Sequence, residues 1–551
     1  MKKTVSSWFY SSVLITAASL YCVAQSPSYP TREMEPFLDV NFTVAERDSL
    51  LRNLQEYQRL VTGLHAYALP NSVGMSLLFN PVPQGFVPET RQLSIDFGIP
   101  RKLEVPKTSS ELAFLPVYKL ASLIKARKIT SVQLTRLYLD RLKKYSDTLQ
   151  CTITLLEATA LERAKQADAE IARGKYRGPL HGIPYGIKDL LAVEGTKTTW
   201  GAAPFKDQRI DMTATVVSRL DAAGAVLVAK LTMGALALGD IWYGGVTKNP
   251  WDLKQGSSGS SAGSASATAA GLVAFAIGTE TLGSIVSPST RCGTTGLRPS
   301  YGRVSRYGAM ALSWSMDKIG PICRSALDCA LVLDVIRGSD GKDPSVHDAP
   351  FNFSRKTDVR KLRVGYFKNL FDENYPTRDN DQKALEALRS MGVTLEPITL
   401  SMTLPVPSVR MMLSAEAAAA FDELTRSNRD SLMTDQRRNA WPNTFRAARF
   451  ISAVDYINAS RVRTVLVNEY YQKTRDYDVI VSPSFGGIQL LLTNLVGTPA
   501  LVVPNGFTAK GSPTSISFLG RLDGEAAIAL LAQAYQDVTG WDEQAPPLFS
   551  K

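Results

Sequence analysis

Apolar residues from Glu111 onward follow two alternating patterns. Residues 115–128 and 158–173 carry them at helical spacing, and between these segments Thr130 and Gln133 form the N-terminal cap of a further helix. Short continuous apolar runs, typical of buried strands, follow at 225–229, 362–366, 479–481 and 500–503. Strands interleaved with helices of this length predict an α/β domain around a largely buried sheet.

Residues 25–108 have a different pattern and are interpreted as an accessory extension that covers a main domain at 109–551. Thr43 and Glu46 form a capping box. The helix that follows has one apolar face, formed by Leu51, Leu54, Tyr57, Val61 and Leu64. The pieces after it are punctuated by Pro and Gly and contain no catalytic signature.

The first 24 residues have the layout of a secretory signal peptide. Lys2 and Lys3 precede an apolar stretch at 8–23, and small residues at 23–25 offer a cleavage site. The stretch is too short for a membrane span, so we expect no stable membrane insertion. Because the bulky Tyr21 precedes Cys22, lipid attachment is disfavoured. We therefore expect an exported protein, either periplasmic or secreted.

Composition narrows the function further. The hydrophobic content of 44% and charged content of 21% are those of an ordinary globular protein. The net charge of +11 comes from scattered Lys and Arg with no long run, so we expect no nucleic-acid partner. The five cysteines are spaced neither as a disulfide scaffold nor as a zinc site, which leaves disulfides and free thiols both open.

A tract of small residues at 256–271 would be a flexible linker by composition, but buried-looking segments flank it. Within it, residues 259–263 fit the G-x-S-x-G elbow of α/β-hydrolases, with Ser261 as nucleophile. That elbow needs a strand before it, where 251–258 is polar and turn-like, and a histidine late in the chain. Only His347 of the three histidines lies downstream, so this alternative is weak.

Lys188 is a better candidate base. It follows a segment at 178–187 that contains several Gly and Pro residues and a short apolar patch. An ordinary lysine has a pKa of ~10.4 and cannot act as a base at neutral pH. Burial disfavours its charged form and lowers that pKa by several units. A buried lysine beside serine hydroxyls can then accept a proton without a histidine.

Several segments in order along the chain resemble the amidase signature family. Residues 259–271 resemble its Ser/Gly-rich core, 278–297 the continuation of that core, and 182–189 its lysine motif. Further similarity lies at 131–168, 249–252, 317–321 and 494–507, so the resemblance covers roughly 110–545. It implies one large amidase signature domain with a mixed central β-sheet covered by helices on both faces. It also implies hydrolysis of a small-molecule or peptide amide, with no metal and no organic cofactor.

The resemblance also assigns residue roles, as a Ser–cis-Ser–Lys triad. Ser284 corresponds to the nucleophile that forms an acyl-enzyme, Ser260 to the cis-serine that relays the proton, and Lys188 to the base. Ser257 and Ser258 fall outside this alignment. The oxyanion hole corresponds to backbone N–H groups of four consecutive residues, Thr281, Leu282, Gly283 and Ser284.

Three departures from the family pattern bear on activity. Leu282 stands where the family has glycine or another small residue, so we expect a narrower pocket or a strained turn. Ala262 replaces a glycine, and 286–287 lacks the usual arginine.

Two alternative functions stay open. They are a catalytically degenerate binding protein and one chain of a tRNA-dependent amidotransferase, of which the signal peptide disfavours the second. Residues 401–451 are expected to form a variable wall of the substrate pocket; the oligomeric state stays open.

Overall fold

The computed structural model describes residues 31–66 and 69–551. The chain divides into two compact units, one up to Leu69 and one from Pro70 to Lys551. The extension predicted to reach residue 108 is thus divided, because residues from Pro70 onward belong to the larger unit. The predicted signal peptide lies outside the described residues. No helix of the described residues is long and apolar enough to cross a membrane.

The smaller unit contains the helices α1, Thr31–Leu38, and α2, Val44–His65. The predicted capping box of α2 is present, with Thr43 and Glu46 bonding to each other's backbone N–H groups. An ion pair of 2.5 Å between Arg47 and Glu35 joins the two helices.

The larger unit contains the remaining helices of the described residues. They are α3 Ser109–Ala113, α4 Val117–Lys125, α5 Ser131–Leu149, α6 Glu157–Ala172, α7 Thr215–Ala222, α8 Ala262–Ala269, α9 Val286–Cys292, α10 Ala326–Ile336, α11 Lys368–Asp372, α12 Arg378–Ser390, α13 Val406–Val409, α14 Met411–Ala420, α15 Asp422–Arg426, α16 Trp441–Ala448, α17 Ala453–Thr474, α18 Gln489–Val496 and α19 Glu525–Thr539. Thr130 and Gln133 form the predicted capping box of α5.

The strands build one large sheet and two small hairpin-like pairs. They are β1 Thr152–Leu155, β2 Pro184–Lys188, β3 Val226–Leu231, β4 Ile241–Trp242, β5 Gly245–Val246, β6 Lys248–Asn249, β7 Asp252–Gly256, β8 Phe275–Glu280, β9 Thr295–Arg298, β10 Lys318–Cys323, β11 Val364–Phe367, β12 Leu395–Ile398, β13 Val479–Pro483, β14 Ala500–Phe507 and β15 Pro513–Gly520. The large sheet has eleven strands in the order β1-β3-β2-β8-β10-β9-β14-β15-β13-β11-β12.

The sheet is mixed, as the resemblance implies. β2 runs parallel to β3 and β8, and β11 runs parallel to β12 and β13, whereas the central strands pair antiparallel. Helices flank the sheet, and the predicted α/β class is confirmed. One local expectation is wrong: 251–258 is not wholly turn-like, because 252–256 forms β7, which pairs with β6.

Two buried parallel strands position the site. Because β2 and β8 are parallel neighbours, Lys188 at the end of β2 and Glu280 at the end of β8 emerge at the same edge of the sheet. Both strands are almost fully buried, and the rings of Tyr185 and Phe275 stack across them with centroids 5.2 Å apart. α8 begins directly after Ser261 and packs on β8, which brings the Ser/Gly tract to that edge.

Candidate active site

Lys188 is fully buried at the end of β2. Burial lowers the pKa of its amine from the ordinary lysine range to about 7, although the carboxylates of Asp317 and Glu280 act in the opposite direction. At neutral pH a large share of this amine is therefore uncharged and has a lone pair. The predicted effect of burial on Lys188 is present in the structure.

Hydroxyl groups surround the Lys188 amine. Its Nζ lies 2.7 Å from Ser260 Oγ, 2.8 Å from Thr279 Oγ1 and 3.2 Å from Ser261 Oγ. Ser260 is itself buried, with 1% of its surface exposed. A neutral amine in this position can take a proton from the Ser260 hydroxyl along the shortest of these contacts.

The loop before Ser260 requires glycine at one position. The Gly259–Ser260 peptide bond is cis. A Cβ atom on Gly259 would lie 1.8 Å from the carbonyl oxygen of Gly239, so no other residue fits without moving the backbone. Ser258, two residues before Ser260, has a positive φ of 59°, which is uncommon for a residue other than glycine.

Ser261 has a structural set of partners. Its Oγ accepts a hydrogen bond from Thr279 N–H and donates one to Thr279 O, each at 3.1 Å. No histidine is among the hydrogen-bond partners of Ser261 in the described part of the chain. His347 instead contacts Asp523 at 3.0 Å, and His181 lies 3.4 Å from Glu170. These contacts give no support to the Ser-His-Asp alternative.

Ser284 lies in the turn that follows β8, with 8% of its surface exposed. Its backbone oxygen accepts a hydrogen bond of 3.2 Å from Ser261 N–H, so the turn and the Ser/Gly tract are directly joined. Within 31–66 and 69–551, no hydrogen bond engages the Ser284 hydroxyl. No other group of these residues therefore holds the Ser284 hydroxyl, which leaves it the freedom that a nucleophile needs.

The four residues proposed for the oxyanion hole form this turn. Among the hydrogen bonds of the described residues, none uses the backbone N–H of Leu282, Gly283 or Ser284. Three neighbouring N–H donors are therefore available for one oxygen. The left-handed residue of the turn is Gly283, with φ 80°, whereas Leu282 is not in that region. The expected strain at Leu282 is thus absent, and its half-buried side chain packs against the core.

Glu280, which the sequence analysis missed, holds this turn in place. One carboxylate oxygen accepts from the N–H groups of Ile285 and Val286 at 2.8 and 3.0 Å. The other accepts from Arg298 Nη1 at 3.1 Å and from Asn494 Nδ2 at 2.8 Å. Burial raises the pKa of Glu280, but Arg298 and these donors outweigh it and hold the pKa below its usual range. The sequence signal was an acid that ends an otherwise apolar strand.

We expect Glu280→Ala to destabilise the fold by about 3–5 kcal/mol, because it leaves the fully buried Arg298 without its counter-charge. Urea unfolding followed by circular dichroism would measure this loss. The matched control is Glu157→Ala, which removes a surface ion pair with Lys143 and should cost about 1 kcal/mol or less. Equal effects of the two variants would contradict the assigned role of Glu280.

Asp317 fixes the start of the same turn. Its carboxylate accepts a hydrogen bond of 2.5 Å from Thr281 Oγ1 and bonds of 2.8 and 2.9 Å from the N–H groups of Leu312 and Ser313. Burial raises the pKa of Asp317 against these hydrogen bonds. The turn of 281–284 is therefore held at one end by Asp317 and at the other by Glu280.

A cavity of about 240 Å³ adjoins the turn, with Thr279 and Thr281 in its wall. Its other walls come from 71–78 and 306–319, together with single residues of neighbouring loops. The expected contribution of 401–451 is wrong for this cavity, since none of these residues lines it. One of them packs behind the wall: the Trp441 indole N–H donates to Leu236 O at 2.8 Å, next to Ala237 in the cavity wall.

No group of His, Cys, Asp or Glu side chains in the described residues is arranged to hold a metal ion. The four cysteines of that part of the chain are buried free thiols: Cys151, Cys292, Cys323 and Cys329. The candidate site therefore consists of hydroxyl groups, one buried amine and backbone N–H donors.

Comparison with known proteins identifies the family of the chain. The amidase family matches the chain over residues 133–488. One relative, a glutamyl-tRNA(Gln) amidotransferase chain from Marinomonas sp. (strain MWYL1), is 34% identical, with 78% of this chain and 98% of that protein covered. The peptide amidase structure from Stenotrophomonas maltophilia superposes with a TM-score of 0.70 at 28% identity, covering 79% of this chain and 99% of the other.

An amidase family protein from Bacillus anthracis str. Ames has the same fold, with a TM-score of 0.70 at 26% identity, covering 80% of this chain and 93% of that one. The family match spans more than half of the chain and includes every proposed site residue. The chain belongs to the amidase signature family of enzymes.

Proposed function

We propose that this enzyme hydrolyses the C–N bond of a carboxylic amide, with Ser284 as nucleophile, Ser260 as proton relay and Lys188 as base. The observation that carries the proposal is the contact of 2.7 Å between Ser260 Oγ and a fully buried lysine amine whose pKa is about 7. A lysine with an ordinary pKa would be charged at this point and could not accept a proton.

In the first half of the reaction, Ser284 Oγ forms a bond to the amide carbonyl carbon. Its proton passes to Ser260 Oγ while the Ser260 proton passes to Lys188 Nζ, so the amine becomes an ammonium. The carbonyl oxygen becomes an oxyanion and faces the backbone N–H groups of 281–284. Donors held in place before the reaction stabilise this charge without reorganising.

In the second half, the C–N bond breaks and the leaving nitrogen takes a proton from Ser260, which is replenished from the Lys188 ammonium. The acyl group remains bound to Ser284 Oγ as an ester. Water then attacks this ester and gives its proton through Ser260 to Lys188. The bond between Ser284 Oγ and the acyl carbon breaks, the proton returns from Lys188 through Ser260 to Ser284 Oγ, and the carboxylic acid leaves. No proton or electron pair is left unbalanced, so the cycle uses no cofactor.

The pH dependence of kcat/KM would report the base. Because the active form of Lys188 is neutral, we expect activity to rise through an apparent pKa near 7 and to level off above it. Below that pKa the rate should fall by about tenfold per pH unit, since protonated Lys188 accepts no proton. Initial rates measured between about pH 5 and 9 would show this rise of kcat/KM with pH. A limb centred near the ordinary lysine value of ~10.4 would contradict a neutral base.

A second candidate function is that of one chain in an amidotransferase complex, favoured by the 34% identity to proteins of that name. An amidotransferase passes the amide nitrogen to an acceptor other than water, and such a chain needs partner chains. The chain purified alone should therefore distinguish the two, because an amidase releases acid and amine in water without a partner. Leu282 leaves the turn unstrained, which speaks against the degenerate binding protein.

We further propose that the enzyme is exported, on the basis of the signal-peptide pattern at 1–24. N-terminal sequencing of the protein from a host with a secretion pathway should give a mature chain that begins at Gln25. Recovery of the full-length chain in the cytosol would reject this location and would reopen the amidotransferase alternative.

A further inference from the structure

A segment outside the family match forms part of the wall of the cavity beside the turn. We call residues 71–78 the strap; the match begins only at residue 133. Six strap residues line the cavity: Asn71, Ser72, Gly74, Met75, Leu77 and Leu78. The remaining exposed apolar strap residue, Val73, does not line it.

The Asn71 side chain attaches the strap to the cavity wall. Its Oδ1 accepts a hydrogen bond of 2.7 Å from Ala311 N–H, and its Nδ2 donates to Ala311 O at 2.9 Å. The amide group thus bonds to both backbone groups of one residue, in the way that a neighbouring strand would. Nδ2 also donates to Ala420 O at 3.4 Å. Because Ala311 lines the cavity, these bonds set the position of the strap over it.

The cavity wall is largely apolar, and its buried charged groups already have partners; the exposed Lys342 lies over the Tyr307 ring at 4.5 Å. Its apolar walls include Met75, Leu78, Leu190, Met212, Met310 and Leu312. The acidic groups in the wall are already engaged: Asp317 accepts from the turn and its neighbours, and Asp343 accepts from Arg306. Lys318 is buried, donates to Met316 O, and has a pKa well below the usual range because of that burial. A neutral, apolar group fits these walls better than a charged one.

The residues that line the cavity also indicate whether the acyl part or the amine part of the substrate enters it. In the proposed reaction the leaving nitrogen lies beside Ser260, which protonates it. Ser260 does not line the cavity, whereas Thr281, at the start of the proposed oxyanion hole, does, as does Thr279, which contacts Lys188. This lining favours the acyl group, rather than the leaving amine, as the part of the substrate that enters.

We propose that the strap and this cavity form an acyl-binding pocket that selects amides of neutral, apolar carboxylic acids. The volume of about 240 Å³ exceeds the ~150 Å³ of a cavity that holds benzene, so a phenylalkyl or medium alkyl group fits. This inference rests on the proposed function, and it places part of the substrate selection in the strap, which lies outside the family match.

A series of primary amides tests the pocket, because ammonia is then the common leaving group. For wild type we expect kcat/KM for 3-phenylpropanamide to exceed that for propanamide by roughly tenfold or more. Met75→Trp fills the cavity and should remove this preference by raising KM for the larger amide. Val73→Trp adds the same bulk to the strap outside the cavity and should keep the preference. Asn71→Ala should weaken the preference by releasing the strap.

Binding separates this proposal from the proposed function. Calorimetry of 3-phenylpropanamide with the Ser284→Ala variant should show binding that Met75→Trp in the same background abolishes and Val73→Trp leaves in place. Binding of this kind without any hydrolysis by wild type would overturn the proposed function and support the pocket. Equal rates for both amides, or equal effects of Met75→Trp and Val73→Trp, would overturn the pocket.

Discussion

Ser284→Ala should lower kcat for amide hydrolysis by about four to six orders of magnitude, because it removes the atom that forms the acyl-enzyme. The fold should be unchanged, since no hydrogen bond of the described residues engages the Ser284 hydroxyl. Residual turnover would come from the N–H donors of the turn and from binding alone. Single-turnover rates with a primary amide measure the loss, and thermal melting checks the fold.

Two controls make the assignment of the nucleophile specific. Ser287→Ala removes a nearby hydroxyl, which contacts Ser258 Oγ at 2.8 Å, and should retain activity. A fluorophosphonate probe followed by peptide mapping should label Ser284 in wild type and nothing in Ser284→Ala. Labelling of Ser261 would contradict the proposed triad, because Ser261 is the nucleophile of the G-x-S-x-G alternative.

The proposed reactive residues could be named from the sequence because they lie in short segments that resemble the amidase signature family. Lys188 ends an apolar run, and Ser260 and Ser284 lie in two turns of small residues only 24 positions apart. Buried parallel strands put the ends of β2 and β8 at one edge, although neither strand is among those predicted from the sequence. The alternation of apolar runs and helical faces also predicted the sheet.

Residues that hold the site in place could not be found in this way. Glu280 ends the apolar run of β8, but its bonds to Arg298 and to Asn494, which is 214 positions away, have no counterpart in a local pattern. The strap belongs to a Pro- and Gly-punctuated segment whose apolar residues have neither helical nor strand spacing. Its role depends on the distant contact between Asn71 and Ala311, 240 positions apart. Long-range polar contacts are fixed by the fold and are invisible in periodicity.

Lys188→Met should lower kcat/KM by about two to four orders of magnitude, the range associated with loss of a general base. Methionine has a similar length and no charge, so it should fill the buried site without the desolvation cost of an ammonium, and the melting temperature should not fall. The rate of fluorophosphonate labelling at Ser284 should fall in parallel, because the nucleophile loses its proton acceptor.

Lys188→Arg tests whether Lys188 acts as a base or only supplies a positive charge. A guanidinium stays protonated at every accessible pH, so this variant keeps the charge and hydrogen-bond donors but accepts no proton, and it should be as inactive as Lys188→Met. His347→Ala should keep wild-type activity, since His347 contacts Asp523 and no proposed site residue. Activity retained in Lys188→Arg, or lost in His347→Ala, would exclude the lysine as base. The fall in activity below about pH 7 is assigned to the same amine, so it should be absent from the residual activity of Lys188→Met. If Lys188 only positioned Ser260, its replacement would not remove this pH dependence.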